Sequence, residues 1–252
     1  MSLLLTGILN RWVFNTALAA SDTSGRTVYD PSKSSTYKSI PGASFSLNYG
    51  DGSQTYGSVG VDTVQVGGIT VVGQAVEMPS AVSSSFTKDV NAEGILGLAF
   101  QSSNTIRPES QPTFFENARS SLQHAVFTAN LKANTPGNYQ FGVIDHTAYA
   151  GDTINYTPVN SSAGLWKFAT KSGSSPAVAD TGSSLLLLDD DIVNAYWAQV
   201  SGNSTDSNGS ITFPCSTKLP DFQIELGESY RATIAGSLIN YATAVGQPGC
   251  EY

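Results

Sequence analysis

Histidine, methionine and cysteine are nearly missing from this 252-residue chain, which holds two of each. His124, His146, Cys215 and Cys250 stand far apart, so the spacing of a Cys/His metal centre is absent and no metal is expected. Charge is scarce too: 13% of residues are charged, 12 basic against 20 acidic, for a net charge of -8. Without a basic cluster, nucleic acid and anionic membrane are excluded as partners. No apolar run reaches the length of a membrane-spanning helix. Fingerprints for phosphate loops, dinucleotides and the G-x-S-x-G nucleophile are also lacking, so neither a cofactor nor serine-hydrolase chemistry is expected.

What the chain does have is 40% hydrophobic residues and 24 glycines, in β-branched runs cut by turns, which reads as folded and all-β. In "SFSLNYGDGSQTYGSVGVDTVQVGGITVVG" (44 to 73), Phe45, Leu47 and Tyr49 alternate, as do Val59 and Val61, while Gly50-Asp51-Gly52 and Gly67-Gly68 mark hairpin turns. "GILGLAF" (94 to 100) is a buried run whose glycines admit a neighbouring backbone. "PTFFENARSSL" (112 to 122) predicts a short helix, and "HAVFTANL", "NYQFGVID", "TINYTPV" and "LWKFAT" predict strands. Ile192, Val193, Tyr196, Trp197 and Val200 lie on one face of a second helix, with Asp189, Asp190 and Asp191 read as its cap.

Cys215 and Cys250 read as a disulfide across 34 intervening residues, worth roughly 3–4 kcal/mol. Two reduced thiols are the alternative. Asn155, Asn160, Asn203 and Asn208 each open an N-x-S/T sequon, which fits a secretory ancestry. "MSLLLTGIL" followed by "ALAAS" lacks the basic start of a secretion signal, and Arg11 and Trp12 interrupt the apolar stretch, so an intracellular location is favoured.

Asp180-Thr181-Gly182 ends a short apolar run and carries the chemistry-bearing carboxylate of the chain. Around it, "WVFNTAL" (12 to 18), "VYDPSKSSTYKSI" (28 to 40), "NYGDGS" (48 to 53), "EGILGLAF" (93 to 100), "PTFF" (112 to 115), "VADTGSSLLLLDDDIV" (178 to 193) and "LPDFQIEL" (219 to 226) run in family order. On these motifs the chain resembles the pepsin-like aspartic proteases, most closely the secreted fungal ones. The resemblance implies two β-lobes with a central cleft and a few short helices: an N-terminal lobe with a flap at 1–150, and a C-terminal lobe at 151–252. It implies that Asp180 is catalytic, that Thr181, Gly182 and Ser183 form its loop, and that Tyr49, Gly50 and Asp51 form the flap tip. Trp12 would hold the flap tyrosine, and Phe86 and Leu96 would wall the specificity pocket.

The same resemblance locates the partner of Asp180. Counting back from Trp12, Thr6 and Gly7 fall into place and Leu5 stands where an aspartate belongs; "LLLTGIL" (3 to 9) aligns with "VADTGSS" (178 to 184) without a gap. Ile8 replaces a hydroxyl residue. The family's first strands and its closing C-terminal strands are unmatched, so the second lobe is expected to be incomplete. Aspartic proteolysis needs two carboxylates sharing one proton, which Leu5 rules out, so peptidase activity is expected to be absent. Leu5 and Ile8 would give Asp180 an apolar setting that favours a neutral, proton-donating acid. The leading expectation is a cleft recruited to bind and transform a small apolar metabolite by cyclisation, isomerisation or dehydration. The alternatives are a peptide- or partner-binding pseudoprotease, paired as a homodimer or with another chain through exposed sheet edges, and a working endopeptidase formed by a dimer or from an incomplete gene product.

Overall fold

The computed structural model describes residues 3–7, 10–133, 135–151, 153–170, 176–205, 209–227, 230–240, 242–243 and 250–251. The side chains of 3–5, 242–243 and 250–251 lie outside that description. The chain forms two compact units. One comprises Met1–Ile154, Val159–Lys167 and Val178–Ser183; the other comprises Asn155–Pro158, Phe168–Ala177 and Ser184–Tyr252. The segment that carries Asp180 therefore groups with the first unit, whereas the division at residue 150 placed it in a second lobe. Hydrogen bonds from Thr6 and Gly7 are the reason, as described below.

The first unit is built on a six-stranded sheet of β1 (Leu3–Leu5), β2 (Arg11–Val13), β3 (Lys38–Asn48), β4 (Gln54–Val66), β5 (Ile69–Val82) and β6 (Gly94–Gly97), in the order β1-β6-β2-β5-β4-β3. Strands β3, β4 and β5 form an antiparallel meander. Gly67 and Gly68 join the last two, with φ of 57° and 82°. Two successive positive φ angles define the tight turn that matches strand twist, and glycine adopts them without steric cost. Here the sequence reading and the structure agree.

Strand β6 runs parallel to β1 and antiparallel to β2, which places Gly94 opposite Val13 and Gly97 opposite Leu5. A Cβ on Gly94 would collide with the Trp12 carbonyl, so the close approach expected of this run is real. Two apolar clusters fill the unit. One centres on Trp12, Phe14, Phe45, Val59 and Ile95; the other centres on Val76, Leu96, Leu98, Phe114 and Phe115.

The helix at Phe114–Ala118 begins with a capping box: the Glu116 N–H donates to Thr113 Oγ1, and the Thr113 N–H to Glu116. A further pair, β7 (Phe127–Asn130) and β8 (Asn138–Phe141), is antiparallel and packs Phe127 and Phe141 against Phe115. The strand expected from "TINYTPV" (153 to 159) does not form: residues 153–158 are irregular, and a two-residue strand occupies Val159–Asn160.

In the second unit, the helix Asp190–Trp197 buries Tyr196 and Trp197 with Val200, Phe213, Leu219 and Ile239. Asp189 occupies the N-cap position, but its side chain makes no capping hydrogen bond. The acidic triplet thus acts on this helix through its dipole rather than as the hydrogen-bonding cap that was expected. Phe222–Leu226 and Tyr230–Ile234 form a hairpin, and an apolar pocket of about 200 Å³ opens among Leu185, Leu188, Tyr196, Trp197 and Phe222. Cys215 is disulfide-bonded, and Cys250 sits opposite Phe213 in the sheet.

Candidate functional site

The two Thr-Gly dipeptides meet within the first unit. The Thr6 N–H donates to Thr181 Oγ1 at 3.0 Å, and the Thr181 N–H donates to Thr6 Oγ1 at 2.8 Å. The Thr6 hydroxyl in turn donates to the Ala179 carbonyl at 2.9 Å, and the Tyr139 hydroxyl donates to Thr181 Oγ1 at 2.8 Å. Each threonine uses its backbone and its side chain on the other, so the two loops hold each other in reciprocal register. Thr6 is buried, which makes an unmatched hydroxyl there costly.

Asp180 lies in this grip. Its Oδ1 accepts from the Gly7 N–H at 2.9 Å and from the Gly182 N–H at 2.7 Å, and its Oδ2 accepts from the Ser183 hydroxyl at 2.8 Å. Any Cβ at Gly7 would overlap the Asp180 carboxyl, so glycine is what lets the carboxylate approach the opposite loop. Each oxygen is thus engaged by a described donor, while the apolar setting expected of Asp180 rests on Leu5 and Ile8. The side chain of Leu5 and the whole of Ile8 lie outside the described residues. The backbone nevertheless places Leu5 directly before Thr6, as Asp180 is directly before Thr181.

The flap expectation converges on one cluster. Tyr49 to Ser53 turn the chain between β3 and β4, with the Tyr49 N–H donating to the Ser53 carbonyl and Gly52 at a φ of 80°. Asp51 Oδ1 accepts from the Ser53 N–H and hydroxyl; these two bonds hold its carboxyl below the usual range. Trp12 Nε1 donates to the Tyr49 hydroxyl at 2.8 Å. Phe86 stands edge-on to both rings, with centroids 5.2 Å from each. Burial raises the Tyr49 phenol above its ordinary value, so the hydroxyl stays protonated. Gly50 sits at the exposed tip.

Leu96 does not join this cluster. It is 2% exposed and packs with Phe114 and Leu98, while the preceding residue, Ile95, faces Trp12. Successive strand residues point to opposite faces, so Ile95 is the residue of β6 on the flap side.

Sequence reasoning also missed two ionisable side chains on neighbouring strands of the sheet, the partly buried Arg11 and the buried Glu77. Arg11 sits in β2, and Glu77 in β5 is 1% exposed, with Trp12 and Glu77 in register. Burial pushes the Glu77 carboxyl up to about 8, opposed by hydrogen bonds involving Asn10, the Arg11 backbone and Asn104, and by the Arg11 charge. Burial likewise lowers the Arg11 guanidinium to about 10. The signal was a charged residue in the apolar "NRWVF", but the partner lies 66 positions away. Asp62 forms a second buried node, accepting from Tyr29, Ser34, Thr36 and the Thr63 N–H.

The comparisons agree with this geometry. Residues 3–250 match the family model for eukaryotic aspartyl proteases. The chain is 48% identical to endothiapepsin of Cryphonectria parasitica, over 97% of this chain and 61% of that protein. It is 47% identical to penicillopepsin-1 of Penicillium janthinellum, over 94% of this chain and 75% of the relative. An aspergillopepsin A-like aspartic endopeptidase of Aspergillus fumigatus is 48% identical, and the chain spans 58% of its length. The chain thus spans about 60% of the length of endothiapepsin and of the aspergillopepsin A-like endopeptidase. In fold it superposes on an aspartic proteinase from Irpex lacteus with a TM-score of 0.77, covering 99% of this chain and 77% of that one at 22% identity. This chain therefore belongs to the eukaryotic aspartyl protease family and adopts its mostly β, pepsin-like fold.

Proposed function

We propose that this chain is an aspartic-protease-fold protein without peptidase activity. The observation that carries the reading is the reciprocal Thr6–Thr181 grip, which gives Leu5 and Asp180 equivalent places before the two threonines. Peptide hydrolysis on this fold calls for one carboxylate as base toward water and another as acid, the pair sharing a proton. Leucine neither accepts nor donates a proton, so water is left with one oriented partner, and the loss of one member of a concerted pair costs several powers of ten. The test is digestion of a denatured protein at about pH 3–5, where such a dyad works, with and without a peptidic transition-state inhibitor. The native chain is expected to leave the substrate intact, and Leu5→Asp is the variant expected to gain cleavage. Inhibitor-sensitive cleavage by the unaltered chain would overturn the proposal.

The finer reading is that the half-site serves a small, largely apolar ligand. Asp180 acts there as a single acid in cyclisation, isomerisation or dehydration, reactions that need one proton donor rather than a dyad. The support is that Asp180 keeps its place before Thr181-Gly182 and that the Trp12–Tyr49–Phe86 cluster of the flap forms within the same unit. Asp180→Asn is expected to abolish turnover of such a ligand. Turnover that survives this change would point instead to the binding-only pseudoprotease.

A further inference from the structure

Of the four sequons, Asn208 lies outside the described residues, and the other three differ in what their amides do. Asn203 is exposed, yet both hydrogens of its Nδ2 are committed, to the Trp197 carbonyl at 3.0 Å and the Val200 carbonyl at 2.6 Å. Those bonds close the end of the helix Asp190–Trp197. A glycosylated amide keeps a single N–H, so modification there would break one of the two.

Asn155 is exposed and its acceptor residue is Thr157, half-buried with its side chain against Gly227. Pro158 follows directly and restricts Thr157 to extended conformations. Neither feature presents that hydroxyl to an incoming enzyme.

Asn160 is built differently. It is exposed, and so are Ser161 and Ser162. Its Oδ1 accepts from the Ser162 N–H at 3.0 Å, which folds the hydroxyl residue back toward the amide, and no described residue accepts from its Nδ2. The turn residue Gly164 takes a left-handed φ of 71°, closing the short helix Ser161–Ala163.

We propose that Asn160 is the sequon of this chain that takes an N-linked glycan, and that Asn155 and Asn203 stay unmodified. In the transfer, Nδ2 of Asn160 attacks C1 of the sugar on a lipid-diphosphate-linked oligosaccharide. The N–C1 bond forms, the C1–oxygen bond to the diphosphate breaks, the amide loses one proton, and the lipid diphosphate leaves. The reaction requires passage through the secretory pathway, so the proposal sides with the secretory ancestry of the sequons against the intracellular location read from residues 1–21. It is independent of the peptidase reading, since Asn160 takes no part in the Thr6–Thr181 grip.

The test is expression of the full chain in yeast behind a cleavable secretion leader, followed by enzymatic deglycosylation that leaves aspartate at each modified position, and peptide mapping. Aspartate at 160, with asparagine retained at 155 and 203, is the expected map. Asn160→Gln should remove that glycan. Ser162→Ala, which keeps the asparagine and its turn, should remove it too, so a folding defect in the first variant does not decide the matter. Secreted chain with Asn160 unmodified, or with Asn155 or Asn203 occupied as fully as Asn160, overturns the proposal.

Discussion

At the residue scale the candidate site depends on what is small. Gly7 leaves room for the Asp180 carboxyl and donates its N–H to Oδ1. Gly7→Ala is therefore expected to push Asp180 out of its loop and to cost about 1–3 kcal/mol, the usual range for a broken polar contact of this kind. Chemical denaturation measures it. Ser183→Ala removes one donor from Oδ2 and should cost less, about 1 kcal/mol. Glu77 offers a pH test. Its folded-state carboxyl titrates near 8 against an ordinary value of 4.5. Between those values the folded chain holds a proton that the unfolded chain has released, so stability falls as pH rises from about 5 to 8. Below that window the contribution is fully present. Glu77→Gln, which is always neutral, should flatten the decline; an unchanged slope in a denaturation series across this range would contradict the assignment.

Elements decide how those residues are held. Strand β2 delivers Trp12 to the flap turn, and β6 supports both β1 and β2. Trp12→Phe keeps a ring against Phe86 but deletes the hydrogen bond to Tyr49, a loss of about 1 kcal/mol. Hydrogen exchange at Gly50 to Ser53 should quicken in that variant while β4 and β5 stay protected. The capping box makes a separate prediction, for Thr113→Ala should lower the denaturation midpoint by an amount equivalent to about 1 kcal/mol. At this scale the sequence was legible where periodicity and turn chemistry are local: the β3–β5 meander, the turn at Gly67-Gly68 and the helices Phe114–Ala118 and Asp190–Trp197. It was misread by one residue at β6. Four consecutive buried positions, Gly94 to Gly97, carry no polar alternation to say which side chain faces Trp12.

On the scale of the whole molecule, family membership was legible because the motif series spans most of the chain in order. The grouping of Asp180 with the first unit was not, since it rests on hydrogen bonds between residues 175 positions apart. The lone disulfide cysteine gives a test here. Cys215 is bonded and Cys250 is the chain's only other cysteine, so reduction should loosen the sheet that pairs Phe213 with Cys250, by up to roughly 3–4 kcal/mol from loop closure. Hydrogen exchange should report the change in the second unit and leave the β3–β5 meander unaffected.

Sequence alone determined the ancestry, the all-β character and the presence of Leu5 before one Thr-Gly and Asp180 before the other, because these are matters of residue identity, order and short-range pattern. The tertiary structure decided the rest: that the two Thr-Gly loops grip each other, that the Gly7 N–H reaches across to the Asp180 carboxyl, that Ile95 faces the flap, and that Arg11 and the buried Glu77 meet on neighbouring strands. Each of those facts is a contact across the sheet or between distant loops, and such contacts leave no periodic trace in the segments that make them.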